Sequence, residues 1–197
     1  DHLMNDVEKI LIENYNPIQL SEIESASLMD RIDEKYVVNY DTIIEMLFHL
    51  NHDFKVLNIN SKNIFRYLST YFDTADFRLY KLHHSGNTNR YKIRYRNYLD
   101  TEDRYFEIKK KDNHGRTLKS RIITENTATP FNNEHEINHL ESNTPFLVHQ
   151  LHEVLDIEYD RITLVNNCKT ERITIDLNLS YRHKQHTECF ENMAIVE

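Results

Sequence analysis

One nine-residue stretch, RYKIRYRNY from Arg90 to Tyr98, places four cations two residues apart, from Arg90 to Arg96. Neighbouring side chains of a β-strand point to opposite faces, so these cations would share one face of a strand. Burying several unpaired like charges costs too much free energy, so that face must meet water or an anionic ligand. The stretch therefore predicts a strand with one charged face and one face of Tyr91, Ile93 and Tyr95 turned to the core.

Four further segments repeat this alternation of charged and apolar residues. The residues that share a face in them are Arg31, Asp33 and Lys35; Glu107, Lys109 and Lys111; Lys119 and Arg121; and Arg172, Thr174 and Asp176. If helices cover the apolar face of one sheet, the charged faces must line a barrel lumen or an open cleft. About eight strands are predicted, a number that can close into a barrel. An open sheet packed on helices is the structural alternative.

Other segments predict the helices of an α+β fold in a single domain over residues 1–197. An amphipathic helix over 6–15 would lie in an N-terminal helical extension, 1–25. Asp41 is a plausible N-cap for a helix to Leu50, and Asp73 or Thr74 for a helix after the strand 62–74. Two helices, over 133–141 and 145–155, would precede the final strands 160–166, 170–183 and 192–197.

The charge of the chain is unevenly placed. The formal net charge is −8, yet residues 81–121 hold 12 of the 24 Lys and Arg and only 5 of the 32 Asp and Glu. A concentrated basic segment in an acidic chain indicates a locally held anionic ligand, whereas nucleic-acid binders are more often basic overall. No apolar run is long enough for a membrane helix and no export signal opens the chain, so we expect a cytoplasmic protein with two reduced cysteines.

Several segments together resemble one known family. They are RIDEKYVV, YLSTYFDTADFRLYKLHHSGNTNRYKIRYRNY, YFEIKKK, LKSRI, YDRITLV and RITIDLNL, in this order. Their order and spacing resemble the VTC domain, the polyphosphate polymerase domain of the vacuolar transporter chaperone complex, within the CYTH or triphosphate tunnel metalloenzyme superfamily. The resemblance implies an eight-stranded antiparallel tunnel with helices outside. It also implies transfer of the γ-phosphate of ATP to a growing polyphosphate chain, with Mn²⁺ or Mg²⁺ as cofactor.

The resemblance also implies roles for individual residues. Lys35, Arg94, Arg96 and Lys109 would be the catalytic cations near the reacting phosphates. Further phosphate-binding positions, from the resemblance or from the shared charged faces, are Arg31, Arg66, Arg90, Lys92, Lys119, Arg121, Arg161 and Arg172. Glu197 resembles the carboxylate that holds the metal. His83 stands where polymerase relatives carry an arginine.

Alternatives to a polymerase stay open. The same cations would serve a hydrolase of tripolyphosphate or nucleoside triphosphates, or a catalytically silent polyphosphate-binding module, and a membrane partner could be a separate chain. HEINH, from His135 to His139, matches the zinc protease signature, but its segment is polar on every side and indicates a solvated surface helix. Base stacking by Tyr91, Tyr95 and Tyr98 is disfavoured because alternation would turn the tyrosines away from the cations, so we expect no nucleic-acid partner.

Overall fold

The computed structural model describes residues 2–25, 33–125 and 129–197. Its helices are α1 His2–Asn14, α2 Leu20–Ser25, α3 Tyr40–Leu50, α4 Arg78–His84 and α5 Glu134–Asn143. Its strands are β1 Pro17–Ile18, β2 Tyr36–Val38, β3 Phe54–Leu57, β4 Phe65–Asp73, β5 Arg90–Tyr98, β6 Asp103–Lys111, β7 Thr117–Thr124, β8 His152–Asn166, β9 Arg172–His183, β10 His186–Cys189 and β11 Ala194–Val196.

The α+β prediction is confirmed by a mostly antiparallel sheet accompanied by helices. Eight strands follow one hydrogen-bonded path in the order β2-β11-β9-β8-β4-β5-β6-β7, while β1, β3 and β10 lie off it. In the pairings of the described residues, β2 has only β11 beside it on this path and β7 has only β6. These pairings therefore leave the sheet open, and they do not make the barrel closure that the eight strands predict.

The chain divides into two compact units built from interleaved segments. Unit 1 comprises residues 1–66, 159–180 and 189–197, and unit 2 comprises residues 67–158 and 181–188. Strands β4, β8, β9 and β10 each contribute residues to both units. The single domain over 1–197 stays a prediction.

The core of unit 1 buries the predicted face of the N-terminal helix. Val7, Ile10 and Leu11 of α1 pack with residues of α3, β3, β8, β9 and β11. Tyr15 follows α1, and its hydroxyl donates to the Leu47 carbonyl of α3 at 2.5 Å. The interior positions of β9 behave as the alternation predicts, because Ile175 and Leu177 belong to the same core.

The cap of α3 differs from the predicted one, and α4 begins later than predicted. Asn39, not Asp41, caps α3, because its extended backbone lets its side chain accept from the N–H of Thr42. α4 begins at Arg78, later than predicted, after Phe77 in the left-handed region. Asp73 still acts as a helix cap, since its carboxylate accepts from the N–H groups of Leu79 at 2.8 Å and Tyr80 at 2.9 Å.

Unit 2 has its own aromatic core on one face of β4 to β7. Tyr95 and Phe106 are fully buried and stacked, with ring centroids 4.9 Å apart. Phe131 closes over both rings, and Leu140 of α5 joins the cluster. This apolar face is the one that the sequence of β5 predicts.

Two predicted elements are wrong. Residues 145–155 do not form a helix: a 3₁₀ turn at Val148–Gln150 leads into the fifteen-residue strand β8. Strand pairing along β8, which is rich in β-branched and aromatic residues from Ile157 onward, overrides the helical spacing of the preceding residues. Lys35 does not lie in a strand, because β2 begins only at Tyr36. Arg31 lies outside the described residues.

Candidate functional site

A charged face covers the side of β5, β6 and β7 opposite the aromatic core, and we call it the cation face. It carries Arg90, Lys92, Arg94, Arg96, Lys109, Lys111, Lys119 and Arg121. In the described strands β5 to β7, the acids that share this register are Glu107 and Asp103. The cation face therefore has a clear excess of positive charge, as the two-residue spacing predicts.

The centre of the cation face is an arginine cluster around Glu107. On β6, Glu107 lies directly opposite Arg94 of β5 and Arg121 of β7. Its Oε2 accepts from Nε of Arg94 at 2.7 Å and lies 3.9 Å from Nε of Arg96. The three side chains of Arg94, Arg96 and Glu107 are only 24%, 14% and 16% exposed. One carboxylate thus hydrogen-bonds the sheltered Arg94 and lies within ion-pair distance of the sheltered Arg96.

Arg94 has a second partner that fixes its orientation. Its NH1 donates to the Tyr71 hydroxyl at 2.8 Å, on the strand at the other side of β5. Burial of Arg94 acts to lower its pKa, but the interactions with Tyr71 and Glu107 outweigh it and raise the pKa. Arg94 therefore stays a fixed cation.

A row of three lysines lies two residues along the strands from Arg94, Glu107 and Arg121, and we call it the lysine row. Lys92, Lys109 and Lys119 are exposed and directly opposite one another on three neighbouring strands. Like charges at such positions destabilise a sheet.

Burial lowers the pKa of His83 on α4, and the charges of Lys92, Arg90, Lys109 and His84 lower it further. The positive charges of Lys92 and Lys109 thus disfavour protonation of His83.

The cation face also carries tyrosines that the sequence analysis missed. Tyr98 was expected to face away from the cations, but it has the same parity as Arg96 and lies on the cation face. Tyr67 and Tyr71 on β4 and Tyr105 on β6 are on this face too. Strand parity alone could have placed Tyr98 and Tyr105, whereas the two β4 residues required the β4–β5 register.

Each arginine of the cluster lies over one of these rings. The distances from the guanidinium carbon to the ring centroid are 5.6 Å for Arg94 and Tyr71, 5.7 Å for Arg96 and Tyr67, and 4.8 Å for Arg121 and Tyr105. These distances lie within the range of cation–π attraction.

Two of the predicted arginines of unit 1 are paired with carboxylates. Arg66 donates from Nε and NH2 to Asp160 at 2.9 and 3.3 Å. Arg161 makes the same two-pronged contact with Asp176 at 2.6 and 2.8 Å. Both pairs have the fork geometry that favours guanidinium binding to carboxylates. The charge of unit 1 at these positions is therefore largely balanced within the protein.

Two other predicted residues of unit 1 contact each other. Nζ of Lys35 lies 2.5 Å from Oε2 of Glu197, and the lysine side chain is 62% exposed. The backbone of Glu197 pairs with Thr174 of β9. Arg172 is exposed at the start of β9. The predicted catalytic lysine and the predicted metal ligand thus form an ion pair at the surface of unit 1.

A preformed metal cage is not present in the described part of the chain. No three His, Cys, Asp or Glu side chains there come close enough together to hold a metal ion. A Mg²⁺ ion that is bound to phosphate oxygens commonly needs just one or two protein carboxylates. Glu197 could supply one of these.

The zinc-protease motif serves a structural role in α5. Glu136, in the middle of HEINH, is 1% exposed and its Oε2 accepts from the Tyr95 hydroxyl at 2.8 Å. His139 contacts the Phe106 ring edge-on, and burial lowers its pKa. The helix is therefore not solvated on every side as expected, since Glu136 and Leu140 anchor it to the core of unit 2.

The sequence matches one family model, and the fold has distant likenesses among solved structures. No curated protein matches the sequence. A candidate adenylate cyclase from Vibrio parahaemolyticus has 10% identity and a TM-score of 0.43, with 84% of this chain and 76% of that chain covered. For a protein from Pyrococcus horikoshii the values are 13%, 0.45, 82% and 74%. For a Hippeastrum protein described as having a dominant triphosphatase activity they are 10%, 0.41, 68% and 65%.

These three likenesses are distant, with identities of 10–13%. In the described part of the chain, no helix is both long and apolar enough to cross a membrane. The family model of the VTC domain, by contrast, matches residues 30–195, which is most of the sequence and includes every strand of the cation face. The chain therefore belongs to the VTC domain family.

Proposed function

We propose that this VTC domain is a polyphosphate polymerase that transfers the γ-phosphate of ATP to the end of a polyphosphate chain. The observation that carries the proposal is the cation face, with eight cations and two acids in register on β5 to β7. Arginine forks match phosphate oxygens in two-pronged contacts, and lysine ammonium groups bind them as point charges. Linear phosphate anhydrides combine the negative charge and the length that such a face would accommodate.

The proposed reaction asks little covalent chemistry of the protein. A terminal phosphate oxygen of the chain attacks the γ-phosphorus of ATP, and the bond from that phosphorus to the β–γ bridging oxygen breaks. ADP leaves with the electron pair, and the chain is one phosphate longer. Catalysis of such a transfer rests on positioning and on neutralising the charge of the transition state.

The roles proposed for the residues follow from their places. Arg96 and Arg94 would bind the transferring phosphoryl group, and Lys109 in the neighbouring row would bind the chain. Lys35 stays a predicted phosphate contact of unit 1, where its ammonium group pairs with Glu197. Mn²⁺ or Mg²⁺, brought with the nucleotide, would neutralise part of the phosphate charge.

One assay tests this function against its alternatives. The protein is incubated with ATP and Mn²⁺, with and without a short polyphosphate primer, and the products are separated on a gel. We expect long chains together with ADP. Free phosphate without chains would instead indicate a hydrolase. Neither product, together with retained binding of polyphosphate, would indicate a binding module.

A matched pair of variants excludes contaminating activity. Arg96→Ala removes a sheltered guanidinium of the cation face and should abolish chain synthesis while leaving the far-UV circular dichroism unchanged. Arg78→Ala removes an arginine of α4 that lies over the Phe146 ring of the aromatic core and should keep activity. Equal activity of both variants would contradict the proposed site.

A further inference from the structure

Three of the four arginines of the cation face share one arrangement. Arg94, Arg96 and Arg121 come from two strands, and each lies over a different tyrosine ring. The rings come from β4 and β6, so the pairs cross strand boundaries in three separate places. A repeated pairing of this kind is not explained by core packing, because the aromatic core lies on the opposite face.

The chemistry of the contact suits anion binding. A guanidinium group that stacks on a ring uses its flat face, while its N–H donors lie in its plane and point along its edge. A carboxylate partner occupies those same donors, as Asp176 does with Arg161, whose guanidinium group also lies over the Tyr159 ring at 5.1 Å. A tyrosine ring can therefore fix the direction of an arginine and leave its donors to phosphate, except where the Tyr71 hydroxyl takes one donor of Arg94.

The ring contacts also lower the cost of ordering the arginines. An arginine side chain loses much rotamer freedom when a ligand immobilises it. If the ring already restricts the side chain in the free protein, less conformational entropy is lost when phosphate binds. The Tyr71 hydroxyl adds a directional contact for Arg94, since it accepts from NH1 at 2.8 Å.

We propose that Tyr67, Tyr71 and Tyr105 are positioning residues that hold the three arginines ready for phosphate oxygens. The proposal rests on the proposed phosphate-binding role of the cation face and adds to it a set of uncharged residues. It assigns these tyrosines to the affinity of the site, through the arginines, and to no direct contact with the reacting atoms.

Tyr105 offers the sharpest test because its hydroxyl has no hydrogen bond among the described residues. Binding of tripolyphosphate is measured by isothermal titration calorimetry for the wild type, Tyr105→Leu and Tyr105→Phe. Loss of a cation–π contact should weaken binding by about two- to thirtyfold in Tyr105→Leu. Tyr105→Phe keeps the ring and should bind within about twofold of the wild type.

Tyr98 provides the matched control. It packs against Tyr67 at 4.8 Å and against Tyr105 at 5.4 Å, but no cation lies over its ring among the described residues. Tyr98→Leu therefore deletes a ring from the same cluster and should leave affinity near that of the wild type. Tyr67→Leu, which removes the ring under Arg96, repeats the test should Tyr105→Leu fail to fold.

The possible outcomes separate the two proposals. Binding by Tyr105→Leu and Tyr67→Leu that equals the wild type, or falls no further than in Tyr98→Leu, overturns the positioning role while the phosphate site stands. Weak binding by Tyr105→Phe as well as Tyr105→Leu also overturns it, because the ring would not be the cause. A wild type that binds no tripolyphosphate overturns the proposed function, and the positioning role with it.

Discussion

Glu107 and Arg94 face each other across the β5–β6 ladder, and Nε of the arginine donates to Oε2 of the glutamate at 2.7 Å. This carboxylate lies among the arginines that we propose for phosphate binding. A phosphate oxygen that approaches Arg94 or Arg96 must therefore compete with Glu107. The pair stabilises the free protein and at the same time limits how tightly the site binds an anion.

Replacing Glu107 should change anion affinity and protein stability in opposite directions. In Glu107→Gln the competing charge is gone, so tripolyphosphate should bind several-fold more tightly. The loss of the partly buried ion pair should lower the free energy of unfolding by about 1–3 kcal/mol. Calorimetric titration and urea denaturation measure the two quantities. Weaker binding with unchanged stability would contradict this account.

Two adjacent lysines on β6 test whether polyphosphate binds to the cation face or follows the overall positive charge. Lys109 belongs to the lysine row of the cation face, whereas Lys110 lies on the other side of the strand, 5.5 Å from the Tyr91 ring centroid. Lys109→Ala should weaken polyphosphate binding by about tenfold, as expected for loss of one charge-assisted contact. Lys110→Ala should leave affinity unchanged, since its ammonium group faces away. Equal effects in filter-binding assays would mean that binding follows overall charge and not the face.

The pH dependence of binding should depend on His83. In the free protein its pKa is lowered, first by burial and then by neighbouring cations. A bound polyanion neutralises those cations, so it should raise the pKa and cause uptake of a proton. Affinity should therefore increase as the pH falls from about 8 to about 6. His83→Gln should flatten this dependence; the same slope in the variant would assign the titration to another group.

The aromatic core should be separable from the cation face. The Tyr95 hydroxyl donates to Glu136 and accepts from the N–H of Phe131 at 2.9 Å. Tyr95→Phe leaves two buried polar groups without this partner, and it should lower the free energy of unfolding by about 1–3 kcal/mol. Its affinity for tripolyphosphate should equal that of the wild type at a temperature where both are folded. A selective loss of affinity would link the two faces of the sheet.

Glu197 can be tested as the metal ligand. In Glu197→Gln the carboxylate that pairs with Lys35 becomes a neutral amide. If this group holds a phosphate-bound metal, activity should be abolished or should require more Mn²⁺, since amide oxygens are weaker ligands for hard cations. Activity measured across a Mn²⁺ titration gives the answer. An unchanged metal response would remove Glu197 as a ligand.

The charged face of β5 to β7 was predictable because strand side chains alternate with an exact period of two. The same rule could not reveal that Arg66 meets Asp160, or that Arg161 meets Asp176, because those pairs depend on which strands lie side by side. It also could not place Tyr67 and Tyr71, which needed the β4–β5 register. Residues 145–155 have a helical spacing that sheet pairing overrides, so the sequence places the start of β8 in a helix, whereas it places 160–166 correctly in a strand.

The lysine row has a thermodynamic consequence for the whole domain. Three ammonium groups at adjoining strand positions oppose the folded arrangement, and any bound polyanion that screens them favours it. A ligand that binds only the native state shifts the folding equilibrium in proportion to its concentration. The concentration of polyphosphate would then determine what fraction of the protein stays folded on heating and resists proteolysis.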